Sequence, residues 1–548
     1  MKNSIVSKML TCVLALTLIA GLFAGCGAQE EKESSVAGSQ VVESSSSAET
    51  SKPSEVPVEP EKPEEPVKIT IMHQDIGNLE EGSISDIWQK QIEEKLNIEI
   101  EWYKPASGYE EAIQVALLDE NRPDVMILPN SWMTNTSFLD ACETGLFTDI
   151  SGLIEDYPNL MKWTAEASWE ALDLFKDGRV WGFPRSTVAR ADGFVVKKEW
   201  VDKVGITVEE GQNMTLDDFF DLLYAFTYND PDGNGINDTY GIRAYEQNGI
   251  LFTGLERIFH VGGWYEFPDG TIDSVRYSKE SDYYKQYLAF VNKCWEAGVI
   301  DPDAYALDKN AAAERTNLYY GIRADYPAGM NVTASDSKPY TEIYVPGVDV
   351  SGDPVGSYKY GDYSNYIWNF YAITKNCEHP EKVLELVDYM LSDEQWTNLN
   401  AQTLEGVGFV FDEKGDYDFS LTDKIKADDK TNGTMLRDTS LFTKFLRRYG
   451  APEYFISKTH PAEVRERLSD LVQLSFDNYW PTLDRGYIPS VAKEQTYIEY
   501  ENFIKSEESK IITGEKPVEY WDELLDGFYK AGYEEYRKDM LEYIASFE

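Results

Sequence analysis

Histidine is scarce. His73, His260, His379 and His460 are the only four in 548 residues, and no two are close in sequence. A zinc centre of the His-Glu-x-x-His type needs two imidazoles one helical turn apart, so that class is excluded. Cysteine is nearly as rare. Cys12 and Cys26 lie in the N-terminal segment, leaving Cys142, Cys294 and Cys377 widely spaced, which is no disulfide framework. They read as small buried apolar residues. Basic residues are outnumbered, 50 against 97 acidic, for a formal net charge of −47. A surface that acidic repels phosphate backbones and anionic lipid, and no basic run offsets it. The chain has no Gly-rich phosphate loop, no Gly-x-Ser-x-Gly elbow and no internal repeat. With 97 carboxylates, acidic pairs arise everywhere by chance, so paired carboxylates do not single out a glycoside hydrolase.

What is present begins at the N-terminus. Lys2 and Lys8 precede an apolar stretch from Met9 to Phe23, too short and too early for an ordinary spanning helix. It closes on Phe23-Ala24-Gly25-Cys26, which resembles the lipobox of bacterial lipoproteins, with Phe23 where Leu is usual. The expectation is a signal peptide over residues 1–25 and acylation of Cys26, on the outer face of a Gram-positive cell membrane. Residues 26–66 are rich in Ser, Glu and Pro and almost free of large apolar side chains, so they form a disordered tether. A chain of that length spans about 35 Å. Each buried lipid methylene contributes about 0.8 kcal/mol, so two or more acyl chains anchor it stably.

The remainder alternates between strand and helix periods. Val67, Ile69 and Ile71 alternate; Ile84, Trp88, Ile92 and Leu96 form one helical stripe; Ile98, Ile100 and Trp102 alternate again. A second helix over Tyr109 to Leu118 leads into a strand at Asp124 to Leu128. This order predicts βαβ units and a parallel sheet, whose carboxyl ends are where open α/β sheets bind ligands. The loops His73-Gln74-Asp75 and Asn130-Ser131-Trp132 are thereby expected at a cleft. Thr215 with Asp218 predicts a capped helix; Asn365 to Thr374 predicts a strand followed by a helix carrying Val383, Val387 and Leu391. Beyond about Asp423 the pattern is mostly helical.

The lipobox at Cys26, the opening VKITIM, PDVMIL, GRVWGFPRS, VVKKEWVDKVGI, NDPDGNGINDTYGI and NFYAITKNCEHPEKVLELVDYMLSDE, in that order, resemble a bacterial extracellular solute-binding protein. The likeness is to the large oligosaccharide-binding receptors of Gram-positive ABC importers. It implies an α/β, two-lobe periplasmic-binding-protein-like fold of type II, with a mostly parallel sheet flanked by helices in each lobe and extra C-terminal helices. Lobe 1 would be 67–185 plus 365–402, and lobe 2 would be 186–364 plus 403–548, with crossings near Arg185, Asn365 and Gln402. It implies a monomer that grips ligand by hinge closure, partnered with permease subunits, without covalent chemistry and without nucleic acid.

Two local signals bear on ligands. Asp230, Asp232, Asn234 and Asp238 occupy positions 1, 3, 5 and 9 of an EF-hand-like loop, with Gly235 at 6 and the Ile236 carbonyl at 7. Position 12 is Gly241, so the bidentate Glu is missing. The loop reads as a structural calcium site of modest affinity or as a solvated turn. The second signal is 13 Trp and 36 Tyr, rings whose flat faces suit the C–H faces of sugars. Those on expected loops or crossovers, Trp132, Trp264, Tyr265 and Trp368, are the candidate platforms, with Asp75, Asn130 and Arg185 as polar partners. Arg185 reads equally as a structural ion pair. Trp88, Trp200, Trp295 and Trp396 fall in helical stretches and read as packing residues. The leading expectation is an oligosaccharide receptor. The rivals are a peptide or polar-metabolite receptor of the same fold and a surface glycan-cleaving enzyme.

Overall fold

The computed structural model describes residues 65–74, 79–105, 108–187, 191–247, 249–330, 341–355, 366–421, 445–450, 456, 458, 460–479, 482–484 and 487–546. The signal segment, Cys26, the tether up to residue 64, Asp75 and Asn365 lie outside them.

Two sheets carry this body. Their strands are β1 (Val67–Met72), β2 (Ile98–Tyr103), β3 (Val125–Pro129), β4 (Phe183–Ser186), β5 (Gly193–Lys197), β6 (Tyr240–Ile242), β7 (Tyr320–Asp325), β8 (Glu342–Val345) and β9 (Ile367–Ile373). The first sheet has the order β2-β1-β3-β9-β4 and the second the order β8-β5-β7-β6. In the first, β1 is parallel to β2 and β3, while β9 is antiparallel to β3 and β4. In the second, β5 is antiparallel to β7 and β8, and β7 is parallel to β6. Each sheet thus has one strand running against the rest. Those two strands are the ones next to the passages between sheets: β5 is the first strand after β4, and β9 is the strand that returns. A chain arriving from the other sheet starts at the facing edge and runs away from it. All other strands run toward that edge and end there.

The helices follow from the apolar periods. Helix α1 (Ile84–Leu96) buries the stripe Ile84, Trp88, Ile92 and Leu96, and the Ser83 hydroxyl caps it by accepting from the Asp86 N–H. Helix α2 (Tyr109–Leu118) turns Ile113, Ala116 and Leu117 inward. Helix α3 (Thr136–Glu143) is capped by the Asn135 side chain, which accepts from the amides of Ser137 and Phe138. Helix α4 (Leu216–Tyr228) is capped at Thr215, as its spacing to Asp218 predicts. Helix α5 (Tyr283–Glu296) covers the second sheet, and α6 (Pro380–Met390) buries Val383 and Val387 against the first. The C-terminal part is helical: α7 (Ala462–Asp477), α8 (Gln495–Ile512), α9 (Tyr520–Phe528) and α10 (Glu534–Ala545).

Each sheet has its own core. Around the first are Ile69, Ile71, Trp88, Ile127, Phe370 and Val387, joined by Leu404, Phe445 and Leu446. Those last three come from the stretch that the sequence pattern assigns to the second lobe. Around the second are Phe194, Phe219, Leu223, Tyr287, Trp521 and Phe528. Helix α7 adds a smaller core with Val195, Tyr326 and Tyr344. The passages run side by side: the Thr187 N–H donates to the Tyr366 carbonyl at 2.8 Å, and the Ala191 N–H to the Ser475 carbonyl of α7 at 3.0 Å.

Candidate functional site

The strand directions bring one edge of the first sheet to the front. Here β1 ends at His73, β3 at Pro129-Asn130 and β4 at Arg185-Ser186, and β9 begins at Ile367. The Asn130 amide reaches the Ile367 carbonyl at 3.5 Å. Arg185 is buried, with Nη1 3.5 Å from the Asn369 Oδ1, so it braces β4 to β9. Tyr366 opens β9 in the left-handed region, φ +57°, a conformation rare for a bulky side chain and often found where a chain changes course for a purpose. Its ring lies 4.7 Å from that of Tyr449.

From this edge a cleft of about 580 Å³ opens between material of the first sheet and the C-terminal helices of the second. One wall is Asn130, Ser131, Met133 and Thr134, continued by Asp173, Leu174 and Lys176. The other is Asp484, Tyr487, Ile488, Lys493, Tyr536 and Tyr543. Tyr487 and Tyr543 stack at 4.1 Å with planes 9° apart, and Tyr536 stacks on Tyr497 at 5.5 Å. Burial raises the phenol pKa of Tyr487 above its ordinary value, and the Asp539 carboxylate beside it adds to this. The cleft therefore combines flat aromatic faces with amide, hydroxyl, carboxylate and ammonium groups from both walls. Its size and mixed lining are those of a small-molecule site.

The structure divides the residues singled out from the sequence. Asn130 lines the cleft. Trp368 stands 57% exposed on β9 at the same sheet edge, though outside the cleft lining. Trp132 is only 3% exposed and packs in the first core, because the 3₁₀ turn after β3 rolls its ring under the sheet edge. Trp264 and Tyr265 are correspondingly enclosed in the second core, the Tyr265 hydroxyl donating to the Gly262 carbonyl at 2.7 Å. None of these three rings offers a face to a ligand. Trp264 acts through its backbone instead: its carbonyl accepts from the Leu483 N–H at 2.8 Å and supports the segment that carries Asp484. Arg185 is a structural brace. Trp88, Trp200 and Trp396 are packing residues, as their helical positions predict.

Tyr487, Tyr536, Tyr543, Lys176 and Lys493 were not singled out from the sequence. Tyr536 and Tyr543 are seven residues apart on one helix and so share a face, but 36 tyrosines make such pairs common.

The acidic loop lies apart from the cleft. The Asp230 Oδ1 accepts from the Gly235 N–H at 3.2 Å, and the Asn234 Nδ2 bridges Asp232 Oδ2 at 2.7 Å and Asp238 Oδ1 at 3.2 Å. Two carboxylates thus point at one place and share a single positive dipole there. Gly233 and Gly235, at φ +75° and +77°, make the tight turns this requires. Gly241 stands where a twelfth-position Glu would be, and a Cβ there would come within 2.7 Å of the Leu223 backbone. The packing of β6 on α4 thus forbids any side chain. The loop's donor types are those a hard cation takes, but among the described residues no three acidic, imidazole or thiol side chains are gathered as a metal site, and the Asn234 amide stands between Asp232 and Asp238.

Residues 80–395 match the family model of the bacterial extracellular solute-binding protein. Among curated relatives, the polygalacturonan/rhamnogalacturonan-binding protein YtcQ of Bacillus subtilis (strain 168) is 25% identical over 263 residues, 46% of this chain and 50% of that one. That match spans about half of the relative's length. Lipoprotein LipO of the same organism is 23% identical over 461 residues, 81% of this chain and 85% of that one. Among solved structures, the substrate-binding protein FusA of Streptococcus pneumoniae with kestose superposes with a TM-score of 0.58 at 17% identity, over 88% of this chain and 99% of that one. An EF-hand mutant of FusA with fructo-nystose gives the same score. Two mixed sheets with a cleft between the loops of the first and the C-terminal helices, and a family match over more than half of the residues, lead to one conclusion: the chain belongs to the bacterial extracellular solute-binding proteins and has their two-domain, periplasmic-binding-protein-like fold.

Proposed function

We propose that the protein is a lipid-anchored extracellular receptor that captures an oligosaccharide between its two lobes and delivers it to an ABC importer. The observation that carries this reading is the cleft with stacked Tyr487 and Tyr543 on one wall and Asn130 and Ser131 on the other. Stacked rings match the C–H faces of sugars, and the polar groups match their hydroxyls. A peptide or other polar metabolite would be favoured by charged clamps with few stacking rings; the cleft has charged groups, and its stacked rings favour the sugar. The names of YtcQ and FusA support a carbohydrate, and that of LipO supports the anchor at Cys26.

The receptor is a binder and performs no covalent chemistry. Ligand touches both walls only when they close on it, so it draws the population toward the closed form by its differential affinity. The passages near Arg185 and Asn365 are two of the hinges. Because Leu404, Phe445 and Leu446 pack in the first core, the last return falls after residue 446 and before α7, not near Gln402, so the first lobe takes in more than 67–185 plus 365–402. The permease reads the closed shape, and the tether lets a monomer reach it. Asp230, Asp232, Asn234, Asp238 and the Ile236 carbonyl hold a structural calcium ion, a reading that the EF-hand mutant of FusA supports.

Isothermal titration against an oligosaccharide panel tests the reading. Saturable binding, ligand recovered intact by mass spectrometry and a smaller radius of gyration in solution scattering are expected. Cleaved ligand, or a body that binds no glycan, overturns it.

A further inference from the structure

The cleft carries two lysines in a chain with a net charge of −47, and they sit on opposite walls. Lys176 belongs to a loop built to present it. The Asp173 carboxylate accepts from the amides of Asp177 at 3.0 Å and Gly178 at 3.1 Å, which closes the loop around it. Lys176 itself stands in the left-handed region, φ +54°, a conformation costly for a lysine that is tolerated where function needs it. Its Nζ is steadied by the Glu170 carbonyl at 2.6 Å, with two of its three donors left over. Lys493 ends the 3₁₀ turn Ser490–Lys493 on the facing wall. Among the described residues neither ammonium makes an ion pair. Two carboxylates share the cleft lining with them: Asp173, which accepts from the amides of its own loop, and Asp484, beside the Tyr536 phenol.

We propose that the cleft selects carboxylate-bearing oligosaccharides, with Lys176 and Lys493 taking the sugar carboxylates from opposite walls while Tyr487 and Tyr543 take the ring faces. The inference rests on the oligosaccharide reading above and adds the charge of the ligand. The negative charge of the body does not defeat it. At physiological ionic strength the Debye length is about 8 Å, so distant carboxylates are screened while a contact pair in the cleft is not. The body's field slows the encounter, and the lysines hold what arrives.

The test uses the mature chain and matched ligand pairs on several backbones: hexuronate oligomers against the same oligomers with carboxyls reduced to alcohols. The native chain is expected to bind the acidic member of at least one pair about tenfold or more tightly. Lys176→Gln and Lys493→Gln each weaken that acidic ligand by roughly three- to tenfold and leave the neutral one within about twofold. Both are exposed positions, and a thermal melt confirms folding. Neutral ligands bound as well as or better than acidic ones, or lysine variants that shift both members equally, overturn this inference and leave the receptor reading standing. A native chain that binds no oligosaccharide of either kind overturns both.

Discussion

The two sheets are packed with different chemistry. The first core is mostly aliphatic, built from Ile69, Ile71, Ile92, Val125, Ile127, Leu128, Ile373, Val383 and Val387. The second gathers Tyr265, Tyr283, Tyr284, Tyr287, Tyr497, Tyr533, Trp521 and Phe528. Both sides bury an arginine, but the second also encloses its partner: Arg276 and Glu508 pair at 2.5 Å, both buried, with Arg276 over the rings of Tyr277 and Tyr284. Glu256, also buried, caps the turn at Leu255–Ile258 by accepting from the amides of Thr253 and Gly254, and it takes a hydrogen bond from Tyr287. An aliphatic core has no polar obligations and degrades in proportion to the volume lost. An aromatic and ionic one is held by directional contacts and fails sharply when one partner is removed. The difference also explains why the cleft tyrosines are inconspicuous: the same residue type builds the wall and the core behind it.

The comparison can be broken first at its ionic centre. Glu508→Ala leaves Arg276 buried without its carboxylate and should cost about 3–5 kcal/mol in a denaturant melt. Arg276→Met with Glu508→Leu should recover most of that, because two apolar groups fill the space without obligations. A single variant as stable as the native chain would dissolve the contrast between the cores.

Two tryptophans sharpen it. Trp132→Ala should lose about 3–5 kcal/mol as a core truncation, and Trp368→Ala should stay within about 0.5 kcal/mol. If Trp132→Ala kept full stability and lost ligand affinity, its ring would be a platform after all.

Calcium should act on the second lobe alone. At a free concentration one hundred times its dissociation constant it should add about 2.7 kcal/mol to that lobe's melt, and Asp232→Ala should abolish the gain. Equal melts with calcium and with chelator would reduce the loop to a solvated turn.

Smaller still is the loss from a single cleft ring. Tyr543→Ala should weaken oligosaccharide binding about tenfold by titration, within the range of one aromatic stacking contact and its buried area.

The last test is a slope with pH. Burial pulls the Lys197 ammonium down to about 8, while the unfolded chain keeps its proton to about 10.5. Between those values the unfolded state binds more protons, so this residue makes stability rise with pH there. Below about 8 both states are protonated and it contributes no slope. Lys197→Met in calcium-free buffer should lose that rise, read from melts of the two chains across the window.

Much of the fold was legible. Ile84, Trp88, Ile92 and Leu96 recur at a helical period and are buried; Val67 to Met72 alternates and is a strand; Thr215 caps the helix that its spacing to Asp218 announces. The direction of the strands placed Asn130 at the cleft. The rings were not legible, because a Trp at a strand end reads the same whether it rolls under the sheet, as Trp132 does after β3, or stands out from it, as Trp368 does at the start of β9. Leu404, Phe445 and Leu446 joined the first core for a similar reason: nothing local in their pattern names the sheet they cover.

Composition and short-range order alone argued against nucleic-acid binding and a histidine metal centre, and they predicted the α/β elements and the acidic loop. These follow from period and spacing, which act over a few residues. Which aromatics line the cleft, and which lysines join them there, was decided by the packing of segments far apart in the chain. Tyr487 finds Tyr543, and Lys176 and Lys493 come to line one cleft, only once two sheets and the C-terminal helices are assembled. Exposure is a sum over all neighbours, and no local pattern contains that sum.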